Sequence, residues 1–378
     1  MRATPNAAYW ICAQAGVNPL AIGMPGIAKT QTVYAFAKAT GRNVYTLIAS
    51  LRDPADIGGY PYPDGNGEGA VMRLIPPSWA ADCSNGNKWI VFLDELTTCA
   101  PACQAAMLRI LAEKHVGDTP LSPDTWLLGA CNPPEQAANG IELEAAMANR
   151  LYHHEWEVDH NAVLDGYCNG LEFPEPEFPR LPDTWQDHLG LTGKLVAEFH
   201  RKNPGRLCKF PTDRAQASGP WPSPRTWEYA IRCLAAAQSV GAEKTVELAL
   251  LTGLVGEAVA LEFNTWRDNL DLPDPEDLIA EAIAASLAGR EMRYEHPDRA
   301  DKVLAMMAAV NWAVMGNNNA RRWEAGMSIM EHAARYDMDV ALAGARPLSR
   351  AIKDANGAKL SAEFVSRLYP RIQKALED

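Results

Sequence analysis

No apolar stretch in this sequence approaches the about 20 residues that a bilayer-spanning helix needs, so no segment reads as a membrane anchor. Positive charge is scarce too: 35 Lys and Arg face 47 Asp and Glu, a formal net charge of −12. Surfaces that coat nucleic acid are built from Lys and Arg neutralising phosphates, so that class of partner is disfavoured. The opening residues MRATPNAAYW lack the basic-then-apolar layout of a secretory signal. A cytoplasmic location is therefore expected, with the eight cysteines as free thiols. Cys99 and Cys103 stand one helical turn apart in CAPAC, but no second Cys or His pair lies nearby in sequence to complete a metal site. His153 and His154 are neighbours in a strand-like run and would point to opposite faces. Internal repeats and low-complexity tracts are absent as well.

What is present is alternation. Apolar runs and helix-period segments follow one another through the first half, the pattern of a parallel α/β sheet. TPNAAYWICAQAG predicts a helix with Thr4 as N-cap, Pro5 in its first position and Gly16 as its stop. Five strands are expected, in NPLAI, NVYTLIA, KWIVFLD, TWLLGACN and LYHHEWEV. Helices separate them, over KTQTVYAFAKAT (ended by Gly41), 101–114 and 141–149 among others. A chain of 378 residues exceeds one ordinary core. The expected division is a 1–158 α/β core, a proline-rich linker over 159–185, a helical lid over 186–270 and a C-terminal helical domain over 271–378. The helical part is read from segments at 225–240, 243–262, 275–289, 299–315 and 319–336.

The stretch AIGMPGIAKT comes close to a phosphate-binding loop, G-x-x-x-x-G-K-[ST]. Gly23, Met24, Pro25, Gly26, Ile27, Ala28, Lys29 and Thr30 fill the eight positions, but Ala28 stands where the pattern asks for glycine. Such a loop needs backbone N–H groups converging on oxygens at a helix N-terminus and a lysine reaching the outer phosphates. A positive φ at Ala28 would cost about 1–2 kcal/mol. The expectation is a negative φ at Ala28, already in the first helical turn, with Gly26 taking the bend. A positive φ would mark the loop as inactive.

Further on, WIVFLDEL ends an apolar strand in Asp94 and Glu95, at the end where ligands sit in such sheets. Asp94 suits a Mg²⁺ shell shared with the Thr30 hydroxyl, and Glu95 suits activation of a water. In GACNPPE, Asn132 closes another apolar run, as a polar group beside a reacting phosphate or as an Asn-Pro turn residue. Two arginines complete the set. Arg150 falls between a helix and a strand. Arg225 follows Ser223, a good N-cap, and Pro224, a good first residue, so its cation sits against the helix dipole. A local rule broken inside a well-formed helix start is where a functional residue is expected.

In this order the five elements resemble an AAA+ ATPase over about residues 5–260, and more narrowly the MoxR family, in its RavA-like branch with an insert in the second helix. That branch and the MCM helicases also carry alanine before the lysine. The stretches 53–80 and 113–126 resemble the two hairpins of this clade, which in relatives face the pore of a ring. The resemblance implies a P-loop AAA+ fold: a parallel five-stranded sheet flanked by helices, followed by an all-α lid. It implies ATP and Mg²⁺ as ligands, Lys29 and Thr30 as the nucleotide-loop pair, Asp94 and Glu95 as the Mg²⁺ and water residues, and Asn132 as first sensor. Arg150 becomes the finger given to the neighbouring subunit and Arg225 the second sensor. Tyr60 and Tyr62, in the insert hairpin, are candidates for gripping a substrate, although packing onto their own domain is the simpler expectation.

The function implied is an ATP-hydrolysing homo-oligomeric ring, a hexamer, that remodels or activates a protein client. A partner with a von Willebrand factor A domain is implied by the same resemblance. The rivals are a nucleic-acid motor related to the MCM helicases and a low-turnover nucleotide-dependent scaffold. Net acidity and hairpins with few basic residues (Arg73 in one, Lys114 and His115 in the other) speak against the motor.

Overall fold

A computed structural model describes residues 6–65, 71–133, 136, 140–268, 272–317, 319–351 and 370. Helix α1 (Ala7–Gln14) leads into strand β1 (Pro19–Ile22), then α2 (Lys29–Thr40) and β2 (Asn43–Ile48). The insert follows: α3 (Pro54–Gly58), the hairpin β3 (Tyr60–Asp64) and β4 (Val71–Ile75), and α4 (Ser78–Ser84). Next come β5 (Trp89–Asp94), α5 (Pro101–Glu113), the short hairpin β6 (His115–Val116) and β7 (Thr119–Pro120), and β8 (Trp126–Cys131). The α/β part closes with α6 (Ala145–Ala148), β9 (Tyr152–Glu155) and α7 (His160–Cys168).

The sheet has the order β2-β5-β8-β1-β9, with every pairing parallel. All five expected strands are there. Side chains alternate along β5: Val91 and Leu93 join Leu20, Leu47 and Leu127 against α5, and Ile90 and Phe92 join Ala21 and Ala130 against Val33 and Phe36 of α2. Both faces are covered, so the strands read as continuous apolar runs. This is a P-loop AAA+ α/β architecture with a helical C-terminal region.

The helical region comprises α8 (Leu189–Lys202), α9 (Arg214–Ala217), α10 (Pro224–Ser239), α11 (Lys244–Val255), α12 (Glu257–Asp268), α13 (Pro275–Leu287), α14 (Ala300–Gly316), α15 (Ala320–Ala333) and α16 (Met338–Ala351). Among the described residues no helix is long and apolar enough to cross a membrane. Helix α1 joins the two parts. Tyr9, Trp10 and Ala13 pack with α2, while Ala8, Ile11, Cys12 and Ala15 pack with α10, α11 and α12.

Four local expectations are corrected. Helix α1 is preceded by Asn6 at φ 61°, whose side chain is tied across the chain to Glu157 and His154; Thr4 and Pro5 lie outside the described residues. The helix expected over 141–149 shrinks to four residues, because Ile141 N–H donates to the Thr97 carbonyl at 2.7 Å and holds the preceding chain extended. The segment 243–262 is two helices, broken at Gly256 (φ 86°), which passes close under the Pro220 carbonyl. The linker contains α7, and its prolines run as a strap on the core: Phe178 packs 5.0 Å from Trp10 and 5.1 Å from Phe36, and the Pro179 carbonyl accepts from Gln14. The PDGNGEG turn falls partly outside the described residues.

His153 and His154 are both buried, which holds each near pKa 4. His153 meets the Ala148 carbonyl, and His154 lies between the Tyr152 hydroxyl and Asn6. The cysteines are unpaired, with the thiols of Cys99 and Cys103 directed to the carbonyls of Leu96 and Arg52.

Helix α11 crosses β9 at Gly253, where an added Cβ would come within 2.1 Å of the His153 carbonyl oxygen and 2.4 Å of the Tyr152 ring. Gly253→Ala is therefore expected to lower stability by about 1–3 kcal/mol. A denaturant midpoint equal to wild type would refute this close packing.

Candidate functional site

The strand order sets β5, β8 and β1 side by side, so their carboxyl ends open on one crevice, the place where ligands bind in open α/β sheets. From the end of β1, Gly23 N–H donates to the Cys131 carbonyl at 3.2 Å, anchoring the loop to β8. A Cβ at Gly23 would come within 2.7 Å of the Ile27 terminal methyl and 3.1 Å of Trp156 Cβ, so a side chain there would have to push both aside. Gly26 takes a bend, at φ 82°.

The structure overturns the expectation for Ala28. Its φ is 62° and ψ 20°, left-handed, and it sits as the residue before the helix, which begins at Lys29. The glycine of the pattern thus answers a real backbone demand, and alanine meets it under strain of about 1–2 kcal/mol. On φ alone the loop would be reread as inactive. The groups it must present nevertheless converge, and a strained residue held by its surroundings is common at working sites.

Lys29 is buried. Its Nζ donates to the carbonyls of Gly23 (2.6 Å) and Met24 (2.9 Å) and to Asn132 Oδ1 (3.1 Å). Burial lowers its pKa, opposed by the negative charge of Asp94. Thr30 Oγ1 donates to Asp94 Oδ2 at 3.1 Å, and Glu95 N–H donates to the other carboxylate oxygen at 2.9 Å. Desolvation raises the pKa of Asp94, and these two hydrogen bonds work against the rise. A hydroxyl and a carboxylate oxygen side by side form an all-oxygen donor set that suits a hard cation such as Mg²⁺.

Glu95 is exposed at the rim, with its own backbone left-handed at φ 60°. Its carboxylate accepts a hydrogen bond from Ser50. Ser50 escaped sequence reasoning, although its place just past the end of β2 is the kind of position that the rule for strand ends picks out. Thr97, also missed, donates to the Asn132 carbonyl at 2.9 Å and fixes that residue over Lys29. Thr97 and Cys131 also line a cavity of about 500 Å³, bounded by His153, Glu155, Ser218 and Thr252.

Residues 19–151 match the family model of the AAA domain, dynein-related subfamily. The match takes in the loop, β5 and β8 and ends just past Arg150, leaving the helical region outside it. No curated protein matches the chain. Among solved structures, a "putative ATPase" from Cytophaga hutchinsonii ATCC 33406 is similar at 16% identity, over 82% of this chain and 73% of that one, with a TM-score of 0.32. At that level of superposition it carries nothing about activity.

The arginines form a second group. Arg150 Nη1 donates to the Ala146 carbonyl at 2.6 Å, while its Nε is buried with no hydrogen-bond partner among the described residues. Burial lowers the Arg150 pKa, and the nearby Arg225 guanidinium lowers it further. Arg225, in the first turn of α10 behind the Ser223 capping box, donates to Asn149 Oδ1 at 3.2 Å. Tyr60 and Tyr62 are largely on the surface, although the Tyr60 hydroxyl donates to Asp56 of α3 at 3.1 Å. They are 56% and 51% exposed, because the hairpin is held mainly at its base, where Leu74 N–H donates to Asp118 and Gly117 lies against the Gly58 carbonyl.

Ala28→Gly relieves the left-handed strain and gives back part of the gain as unfolded-chain entropy. It is expected to raise the unfolding free energy by up to about 1 kcal/mol, whereas Ala28→Val lowers it. A lower melting temperature for Ala28→Gly would contradict the left-handed assignment.

Proposed function

We propose that the chain is a Mg-ATP-hydrolysing AAA+ ring protein of the MoxR kind that remodels or activates a protein client in the cytoplasm. The observation that carries this is the joining of Lys29 to Asn132 and of Thr30 to Asp94 at adjacent strand ends, with Glu95 at the rim. Lys29 would exchange the Gly23 and Met24 carbonyls for the outer phosphates of ATP. Thr30 and Asp94 would hold Mg²⁺, which when bound neutralises phosphate charge. Glu95 would take a proton from the attacking water, and Asn132 would orient that water beside the terminal phosphate.

Arg150 would complete the site of the next subunit. Arg225 sits against Asn149 in the same group, so we assign it to the same neighbour. Catalysis would then depend on assembly into a hexameric ring. The exposed apolar hairpin bearing Tyr60 and Tyr62, with Val71, Met72 and Ile75, supports contact with a protein client. A protein with a von Willebrand factor A domain is the partner we propose for delivering that client.

The test is ATP turnover with Mg²⁺ by purified full chain. Glu95→Gln is expected to lose about 10²-fold or more of the rate while still binding ATP, and Lys29→Ala to lose binding. Mixing Arg150→Ala with Lys29→Ala subunits is expected to restore part of the turnover. Unchanged hydrolysis by Glu95→Gln would overturn its role, and no recovery in mixed assemblies would overturn the finger in trans.

A further inference from the structure

The cavity of about 500 Å³ beside Thr97 and Cys131 differs in chemistry from the phosphate-facing groups next to it. It lies between β9, the edge strand of the sheet, and helices α9 and α11, so the α/β core and the helical region each supply a wall. Its volume falls in the range that takes a small organic molecule, about 300–1,000 Å³. Leu20, Leu143, Leu248 and Ala249 give it an apolar body. Glu155 and Glu157 line it as well, and both are exposed.

Among the described residues no Lys or Arg lines this space. The cations next to its wall in sequence are directed elsewhere: Arg214 lies 3.7 Å from Glu142 and 3.9 Å from Glu144, and Lys244 lies 3.5 Å from Asp268. On the nucleotide side, Lys29 is held by the carbonyls of Gly23 and Met24 and by Asn132. His153 and His154 are neutral near pH 7, since burial holds each near pKa 4. The connection over 133–144 adds three Glu and no Lys or Arg. The carboxylates of Glu155 and Glu157 have no hydrogen-bond or ion-pair partner among the described residues. An anion is therefore repelled here and a cation is drawn in.

The strand edge contributes one more acceptor. Trp156 N–H donates inward to the Ile22 carbonyl, so the N–H and carbonyl of Glu155, one residue earlier, point to the outer edge of the sheet. Two residues on, the Asn6 side chain takes both edge groups: Nδ2 donates to the Glu157 carbonyl and Glu157 N–H donates to Oδ1, each at 2.9 Å. At Glu155 no described residue does the same.

We propose that this cavity binds a small primary amine with an apolar body, its ammonium at Glu155 and Glu157 and its body between β9 and α11. A primary ammonium has three N–H donors and no acceptor. Two carboxylates and the Glu155 carbonyl are acceptors only, and hydrogen bonds between charged partners are the strong ones. The apolar walls favour the body by burial. None of the phosphate-facing groups is needed, so the inference stands independently of the nucleotide reading above.

Titration calorimetry on the full chain without nucleotide tests this, with phenethylamine as ligand. Phenethyl alcohol and hydrocinnamate keep the body with a neutral or negative head, and ethylamine keeps the head without the ring. Phenethylamine is expected to bind one site per chain, about 10-fold or more tighter than the alcohol and than ethylamine, with no binding by hydrocinnamate. Glu155→Gln with Glu157→Gln is expected to bring phenethylamine down to the affinity of the alcohol, at a wild-type melting temperature because both side chains are exposed. Absence of phenethylamine binding, alcohol, acid or ethylamine binding as tightly, or an unchanged affinity in the double variant overturns the proposal. ATP turnover by the same preparation reads the nucleotide site separately, so failure of one reading leaves the other standing.

Discussion

Everything at the nucleotide end depends on one constraint, that β5, β8 and β1 lie side by side and parallel. Lys29, Asp94 and Asn132 are far apart in sequence and belong to three different strand ends. Only that order lets Nζ of Lys29 reach the Asn132 amide, and Thr30 reach Asp94, with no long side chain stretched to do it. The alternating side chains of β5 then fix the sheet against α5 on one face and α2 on the other, so the register of the crevice is set by core packing.

Two residues at this end hold left-handed backbone without being glycine, Ala28 and Glu95. Each sits where a functional group is delivered, Ala28 just before Lys29 and Glu95 just after Asp94. Strain of this kind persists only where the surroundings over-determine the conformation. For Glu95 the determinants are visible: its N–H is held by Asp94, its carboxylate by Ser50, and the following Leu96 N–H by the Ala130 carbonyl. For Ala28, the fixed points are Gly23 on the Cys131 carbonyl and Lys29 folded onto the loop carbonyls.

The strands were legible because a sheet covered on both faces writes itself as apolar runs ended by polar residues, and the ends of those runs are where Asp94 and Asn132 lie. Backbone conformation inside the loop was not legible. The pattern's own glycine was the signal that position 28 turns left-handed, and reading it as an early helical residue gave alanine a comfort it does not have. Helix α7 was hidden for another reason. Prolines on its C-terminal side read as linker, whereas Phe178 and the Pro179 carbonyl fasten them to Trp10, Phe36 and Gln14, contacts with residues more than a hundred positions away. The pairing of Arg150 with Arg225 was invisible for the same reason, since it is made through Asn149 and the Ser223 cap across a long stretch of intervening chain.

Helix α1 makes the two parts of the molecule mechanically one. Its residues from Ala7 to Ala13 are all buried, with Trp10 committed to the α2 side and Ile11 to the α10 and α11 side. The Tyr9 hydroxyl donates to the Gly129 carbonyl in β8, three residues before Asn132. Gly253 of α11 leaves no room for even a methyl group against β9. Close-packed interiors resist continuous deformation. A shift of the helical region relative to the sheet therefore displaces α1 and β9 together; β1, which carries the nucleotide loop, lies in direct contact with both, and β8, which carries Asn132, lies against α1 and β1.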